Sequence, residues 1–152
     1  MEQDISFQYL AGLFDGKGCV YIQKNKTFNP KSPNKNPTYQ VVCQVSMTNK
    51  NLIGKLHKTF GGTFYTHKRK KITHRDCHLW FLCSKKANRF LKAIFPYTIV
   101  KKEEIKVAFE FQDHIDKSMI NGRQWKRNLR LPPEVVAYRE SLYQRLKSLK
   151  KL

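Results

Sequence analysis

The first residues with chemistry to offer are Asp15 and Lys17, two positions apart in the run Leu10-Ala11-Gly12-Leu13-Phe14-Asp15-Gly16-Lys17-Gly18. A carboxylate can accept hydrogen bonds or hold a cation, whereas an ammonium has three donors and no acceptor. Read locally, Ala11 and Gly12 make a notch for close helix packing, and Gly16-Lys17-Gly18 makes a plain helix cap. A second run, His74-Arg75-Asp76-Cys77-His78, holds the residue types that bind zinc. It reads as part of a strand, however, whose alternate side chains point to opposite faces, and no second ligand pair stands nearby. Two exposed histidines beside a groove is the plainer reading. Cys19, Cys43, Cys77 and Cys83 form no Cys-x-x-Cys pair, which points to reduced thiols and an intracellular protein. Ser/His/Asp hydrolase, P-loop and Rossmann signatures are absent.

The elements that must position these residues follow from caps and periodicity. Asp4 is the expected N-cap of a helix over Ile5 to Phe14, stopped by Gly16 and Gly18. Cys19 to Lys26 alternates as a strand, and Thr27 to Pro37, rich in Pro and Asn, reads as a long loop. Thr38 to Met47 is the second strand. Asn49 or Asn51 caps a helix ending at Phe60 before Gly61-Gly62. A second hairpin joins Thr63–Lys70 to Thr73–Cys83 through a basic turn. Ser84 is the expected cap of a helix that stops before Pro96. Ile99 to about His114 forms another helix, Asp116 to Leu131 is irregular, and Pro132-Pro133-Glu134 starts a last amphipathic helix.

The fold class is therefore α+β, with order α-β-β-α-β-β-α plus C-terminal helices. Residues 1–115 read as the core domain and 116–152 as a basic extension packed on or near it. Two consecutive hairpins can form one antiparallel sheet covered by helices on one face.

Period two then sorts the free face. Cys19, Tyr21, Gln23 and Asn25 share it in the first strand, with Lys26 at its end. Thr38, Gln40, Val42, Gln44 and Ser46 share it in the second. The expectation for the second hairpin is Thr66, Lys68 and Lys70 on one strand, with Asp76 and His78 beside Trp80 on the other, and Leu79 and Phe81 in the core. Gln and Asn can bond adenine edges in the major groove, and Lys can bond guanine. Asn34 and Lys35 in the long loop, and the Lys68-Arg69-Lys70-Lys71 turn, would lie where phosphates pass.

The charge balance agrees. Thirty Lys+Arg against 11 Asp+Glu give a formal net charge of +19 in 152 residues. Nucleic acid is the commonest partner of such a chain and anionic membrane the second. No apolar run reaches the roughly 20 residues that span a bilayer. The final helix, with Val135, Leu142, Leu146 and Leu149 apolar and lysines flanking them, is expected to dock on the domain instead of a membrane.

The run from Leu10 to Gly18 resembles the LAGLIDADG motif of homing endonucleases. Val45-Ser46-Met47, Phe60-Gly61-Gly62 and Phe95-Pro96-Tyr97 extend the resemblance over residues 5–112. It implies a saddle-shaped sheet that binds the major groove, and a homodimer, since one chain carries one motif. The dimer would read a long, pseudo-palindromic double-stranded DNA site. Leu10, Ala11, Gly12, Leu13 and Asp15 would form the dimer interface.

The family's reaction is phosphodiester hydrolysis assisted by Mg²⁺ or another divalent cation. The resemblance assigns the metal to the carbonyl of Gly16 and to an acid at the next position, which here is Lys17. Two such lysines would repel the cation and neutralise phosphates. Asp15 matches a position that serves capping and packing in the family, so it is not expected to take over. The expectation is a chain that binds DNA and cleaves it poorly or not at all. Lys101 matches a family lysine near the reacting phosphate, and Lys50 is a second candidate. Met47 stands where a water-orienting glutamine is often found. The alternative on the same scaffold is a non-catalytic DNA binder, or an intron RNA-binding maturase using Arg123–Arg130 and Lys147–Lys151.

Overall fold

The computed structural model describes residues 4–26, 37–120, 123–124 and 131–151. Asn34 and Lys35, nearly all of the expected long loop, and most of the Arg123–Arg130 segment lie outside them.

The first helix, α1, runs Phe7–Lys17. It starts two residues later than the Asp4 cap implied, because Ser6 is the cap and its hydroxyl accepts from the Tyr9 amide at 3.1 Å. It also runs through Gly16 instead of stopping at Phe14. Glycine weakens a helix interior without ending it. The chain turns only at Gly18, whose amide donates to the Phe14 carbonyl. A Cβ on Gly18 would stand 2.2 Å from the Phe14 ring, so the residue is glycine for lack of space.

From Gly18 the chain enters a four-stranded antiparallel sheet ordered β1-β2-β4-β3. The strands are β1 Gly18–Asn25, β2 Thr38–Met47, β3 Thr63–His67 and β4 Cys77–Cys83. Gly18 pairs with Val45 and Asn25 with Thr38, Val42 pairs with Cys83 and Met47 with His78, and Thr63 pairs with Phe81. The second hairpin is shorter than expected. Its turn is closed by Asp76, whose carboxylate accepts from the Arg69 amide at 3.1 Å.

Between the hairpins lies α2, Lys50–Phe60, capped by the Asn49 side chain on the Leu52 amide. Gly61 and Gly62 reverse the chain at φ of 72° and 86°, a region that favours glycine. Helix α3 spans Ser84–Ile94. Ser84 is not its side-chain cap: it is the first helical residue, at a φ of 54°, and Cys83 precedes it in extended conformation.

After a 3-10 turn at Phe95–Tyr97, α4 runs Lys102–Lys117. It begins later than Ile99 because the amides of Ile99 and Lys101 are held elsewhere, by Asp15. Part of the stretch expected to be irregular forms a short hairpin, Met119–Ile120 with Arg123–Gln124. Helix α5 is Pro133–Leu149.

All five helices contribute to one core. Trp80, Phe14, Phe111, Leu91, Leu142 and Leu146 are fully buried. Trp80 lies 5.2 Å from the Phe90 ring and 6.0 Å from Phe60, and its indole N–H donates to the Gly61 carbonyl at 2.8 Å. Helix α5 docks through Leu142 and Leu146, and through Glu140, which accepts from Lys24 Nζ at 2.8 Å and from the Tyr39 hydroxyl. No described helix is long and apolar enough to cross a membrane.

Candidate nucleic-acid interface

Helix α1 turns two different faces to its surroundings. Leu10, Ala11 and Phe14 point into the chain's own core, at 1%, 0% and 0% exposure. Leu10 and Ala11 therefore cannot form the dimer interface expected of them: at 3.6 residues per turn they share the inward stripe with Phe14. The outward stripe holds Gly12 and Gly16, one turn apart and both exposed, with Leu13 partly buried beside them. A Cβ at either glycine would have nothing within 4 Å.

The C-terminal end of α1 is built around Asp15. Its carboxylate oxygens accept from the Ile99 amide at 2.8 Å and the Lys101 amide at 3.2 Å. Asp15 is thus a tether between α1 and the start of α4, which fixes the Lys101 backbone against the motif. Lys17, two residues further, is exposed. Lys50 opens α2 just past the end of β2, and that end pairs with the start of β1. Lys17 thus ends α1, Lys101 is tied to α1 through its own amide, and Lys50 stands three residues past the end of β2.

A divalent cation does not fit this donor set. Lys17 has no acceptor atom, and both Asp15 oxygens already accept amide protons. Among the described residues no three His, Cys, Asp or Glu side chains are grouped to hold an ion. Only the Gly16 carbonyl remains, in a last turn that lacks intrahelical donors.

The helix-covered face of the sheet carries Val20, Ile22, Tyr39, Val41, Cys43 and Val45, all buried. On the opposite face of β1 and β2, Gln23, Asn25 and Thr38 are exposed, and Cys19, Tyr21, Gln40, Gln44 and Ser46 are partly so; Lys26, expected at the end of this face, lies just past β1 and is exposed. Val42 belongs to it by parity but is 2% exposed. Its neighbours Tyr21 and Cys83 flank it across the ladders. Burial raises the Tyr21 hydroxyl pKa above its ordinary value, and the nearby Cys19 thiol adds to this.

The second hairpin is the reverse of the expectation. His78 and Trp80 face the helices, and His78 is 7% exposed. His78 Nδ1 pairs with the Thr66 hydroxyl at 3.0 Å, and its ring stacks on Phe64. Thr66 and His78 therefore do not belong to the free face. Lys68, Lys70 and Asp76 lie in the turn beyond the strands, exposed but off the sheet. The free face of β3 and β4 is instead Thr63, Tyr65 and His67 opposite Phe81, Leu79 and Cys77. Cys77 and His78 thus point to opposite sides, with Cys77 Sγ 2.8 Å from the Ser46 hydroxyl.

One cation reaches the free face from outside the sheet. Lys150, just past α5, sits 3.0 Å from Cys19 Sγ and 5.6 Å from the centre of the Tyr21 ring. Only the basic character of the tail was readable in advance. Its return to β1 depends on how α5 docks.

The fold has been seen before. The I-CvuI homing endonuclease, solved in complex with its target, superposes with a TM-score of 0.69 at 18% identity, covering 94% of this chain and 80% of that one. The homing endonuclease I-TnaI superposes at 0.65 and 16% identity, covering 98% of both chains. The LAGLIDADG homing endonuclease I-LtrWI, bound to target DNA, matches at 0.63 and 17%, covering 95% of this chain but 45% of its own. Identities this low establish the fold alone. No curated protein sequence matches significantly. Membership rests on sequence: the model of the LAGLIDADG endonuclease family matches residues 10–102. With α1 carrying the motif to the edge strand of a four-stranded antiparallel sheet, this chain belongs to the LAGLIDADG endonuclease family.

Proposed function

We propose that two copies of this chain pair along the outward stripe of α1 and form one continuous cradle for a long, pseudo-palindromic DNA duplex. In this reading the protein binds the duplex but hydrolyses its backbone poorly or not at all. The observation that carries it is the end of α1. By its place in the motif Lys17 matches the family's metal-ligand position, and the carboxylate two residues earlier, Asp15, is committed to two backbone amides. A lysine ammonium there attracts phosphate and repels a divalent cation.

Pairing is supported by Gly12 and Gly16. Exposed glycines one turn apart let two helix backbones approach closely, which side chains elsewhere on α1 prevent. It is also supported by I-LtrWI, of which this chain spans 45%: one copy corresponds to about half of that longer protein. Binding is supported by the net charge of +19 and by a sheet face of Gln, Asn, Thr and Ser free of covering helices. Lys17, Lys50 and Lys101 are assigned to backbone phosphates near the dyad.

The test is duplex selection from a random pool, followed by sedimentation of the selected complex. Two chains per duplex, with affinity falling steeply between 50 and 200 mM salt as expected for multiple phosphate contacts, is the predicted result. One chain per duplex, or salt-insensitive binding, contradicts it. Gly12→Leu is predicted to weaken two-chain binding without lowering the melting temperature of the single chain, because nothing in that chain abuts the position and leucine is the better helix former.

A further inference from the structure

The free face of the sheet is divided into two surfaces. Along β1 and β2 it is polar: Gln40 Nε2 donates to Gln23 Oε1 at 2.7 Å, and the Tyr21 hydroxyl donates to Gln44 Oε1 at 3.3 Å. Along β3 and β4 its centre is apolar, with Thr63 and His67 at the two ends of β3. Tyr65 is 56% exposed and pairs across the ladder with Leu79, while Phe81 pairs with Gln44 on the other side. Leu79 and Phe81 are only partly buried, and none of the three packs on the core cluster. No outward position of the four strands carries Lys or Arg, although the chain has 30 of them. The cations are at the rim, with Lys68, Arg69, Lys70 and Lys71 exposed in the turn adjoining the apolar patch.

An apolar patch inside a cationic rim calls for an occupant with apolar groups between anionic edges. The major groove is such a surface: phosphates border it, and the thymine C5-methyl is the apolar group its base edges present. A lipid surface fits less well, because the adjoining carboxamides would be stripped of water without partners. The residue types also decide which bases are read. Arg and Lys are the usual guanine readers, Gln and Asn the usual adenine readers, and apolar side chains contact the thymine methyl. The strand positions of the face supply the last two kinds and not the first; Lys150 reaches it only at the β1 edge, beside Cys19 and Tyr21 and away from Tyr65, Leu79 and Phe81.

We propose that Tyr65, Leu79 and Phe81 read thymine methyl groups in the major groove, so that β3–β4 select A·T pairs by apolar contact while β1–β2 select them through carboxamides. This rests on the duplex-binding reading above and specifies its substrate: a half-site rich in A·T pairs along the sheet.

The experiment uses the full-length chain and duplexes enriched from a random pool. Each thymine of the enriched duplex is replaced in turn by uracil, which removes the methyl and nothing else. The expected result is a cluster of positions per half-site at which each replacement weakens binding about fourfold, the value of one buried methyl-sized group. In Leu79→Asn or Tyr65→Gln, at least one of those positions becomes indifferent to uracil. Tyr65→Gln alters an exposed side chain, so it remains informative if Leu79→Asn does not fold. Tight duplex binding that is indifferent to uracil at every position overturns the proposal, as does a consensus dominated by guanine. If the variants leave the uracil profile unchanged but alter the oligomeric state in sedimentation, the patch joins copies of the chain and the proposal is likewise overturned. Failure of the unaltered protein to bind any enriched duplex is a different outcome: it removes the parent reading first.

Discussion

Replacing Asp15 by Ala is the substitution that separates a structural carboxylate from a metal ligand. The side chain accepts two backbone amides, from Ile99 at 2.8 Å and Lys101 at 3.2 Å. Each hydrogen bond contributes about 0.5–1.5 kcal/mol net. Leaving two buried donors orphaned would cost more, but Ile99 is 83% exposed, so water can replace part of what is lost. The expected loss is therefore about 1.5–2 kcal/mol, less than the roughly 3–5 kcal/mol of Phe14→Ala one residue away in the core. For a chain of 152 residues that is a fall in melting temperature of about 3–8 °C. Asp15→Asn keeps one acceptor oxygen and should recover about half of it. The assay is thermal denaturation followed by circular dichroism, with and without Mg²⁺. The full loss is expected in metal-free buffer, with no metal dependence in the unaltered protein. The structural role of Asp15 is refuted if Asp15→Ala melts like the parent without metal. It is equally refuted if Mg²⁺ stabilises the parent and this stabilisation disappears with the carboxylate.

Three further predictions concern the scaffold. Gly18→Ala places a Cβ 2.2 Å from the Phe14 ring and 2.6 Å from the Phe14 carbonyl oxygen. It should destabilise by about 1–3 kcal/mol as an overpacked site, read as a lower guanidinium midpoint, and an unchanged midpoint contradicts the close approach. Glu140 accepts from Lys24 and Tyr39, which holds its carboxyl at about 2, below its ordinary 4.5. A lowered folded-state pKa stabilises the fold above the unfolded value, and that stability is lost as pH falls through the folded one. Acidification from pH 4.5 towards 2 should therefore destabilise the parent more than Glu140→Gln, and parallel pH profiles refute this. Tyr39 titrates in the opposite range. Burial, and then Glu140, push its hydroxyl up to about 12, so its stabilising effect is lost as pH rises from 10 towards 12.

What the sequence revealed depended on whether the deciding contact was local. Asn49 and Asn51 bracketed the start of α2, which the Asn49 side chain on the Leu52 amide then fixes, and alternation through Thr38–Met47 gave β2 and its buried face because one parity is clearly apolar. The β4 segment Cys77–Cys83 could not be oriented that way: Leu79 and Phe81 on one side match Trp80 and Leu82 on the other. The choice is made by Trp80, whose ring needs Phe60 and Phe90 and whose N–H needs the Gly61 carbonyl, all distant in sequence. That one choice moved His78 and Thr66 to the covered face and turned Leu79 and Phe81 outward. The same limit applied to α1. Its glycines announced a close approach, but whether Leu10 and Ala11 met a second copy or their own core was a tertiary question, answered by their burial with Phe14 in one cluster. The role of Asp15 in capping was expected, while its particular partners, more than eighty residues away, could be found only in the fold.

The most direct measurement of the central claim is strand cleavage of a selected duplex by the parent and by Lys17→Glu, side by side in Mg²⁺ at protein concentrations that saturate both complexes. The account predicts little or no cutting by the parent and restored, Mg²⁺-dependent cutting by the glutamate variant at the centre of the site. Efficient cutting by the parent, equal to that of the variant, contradicts it.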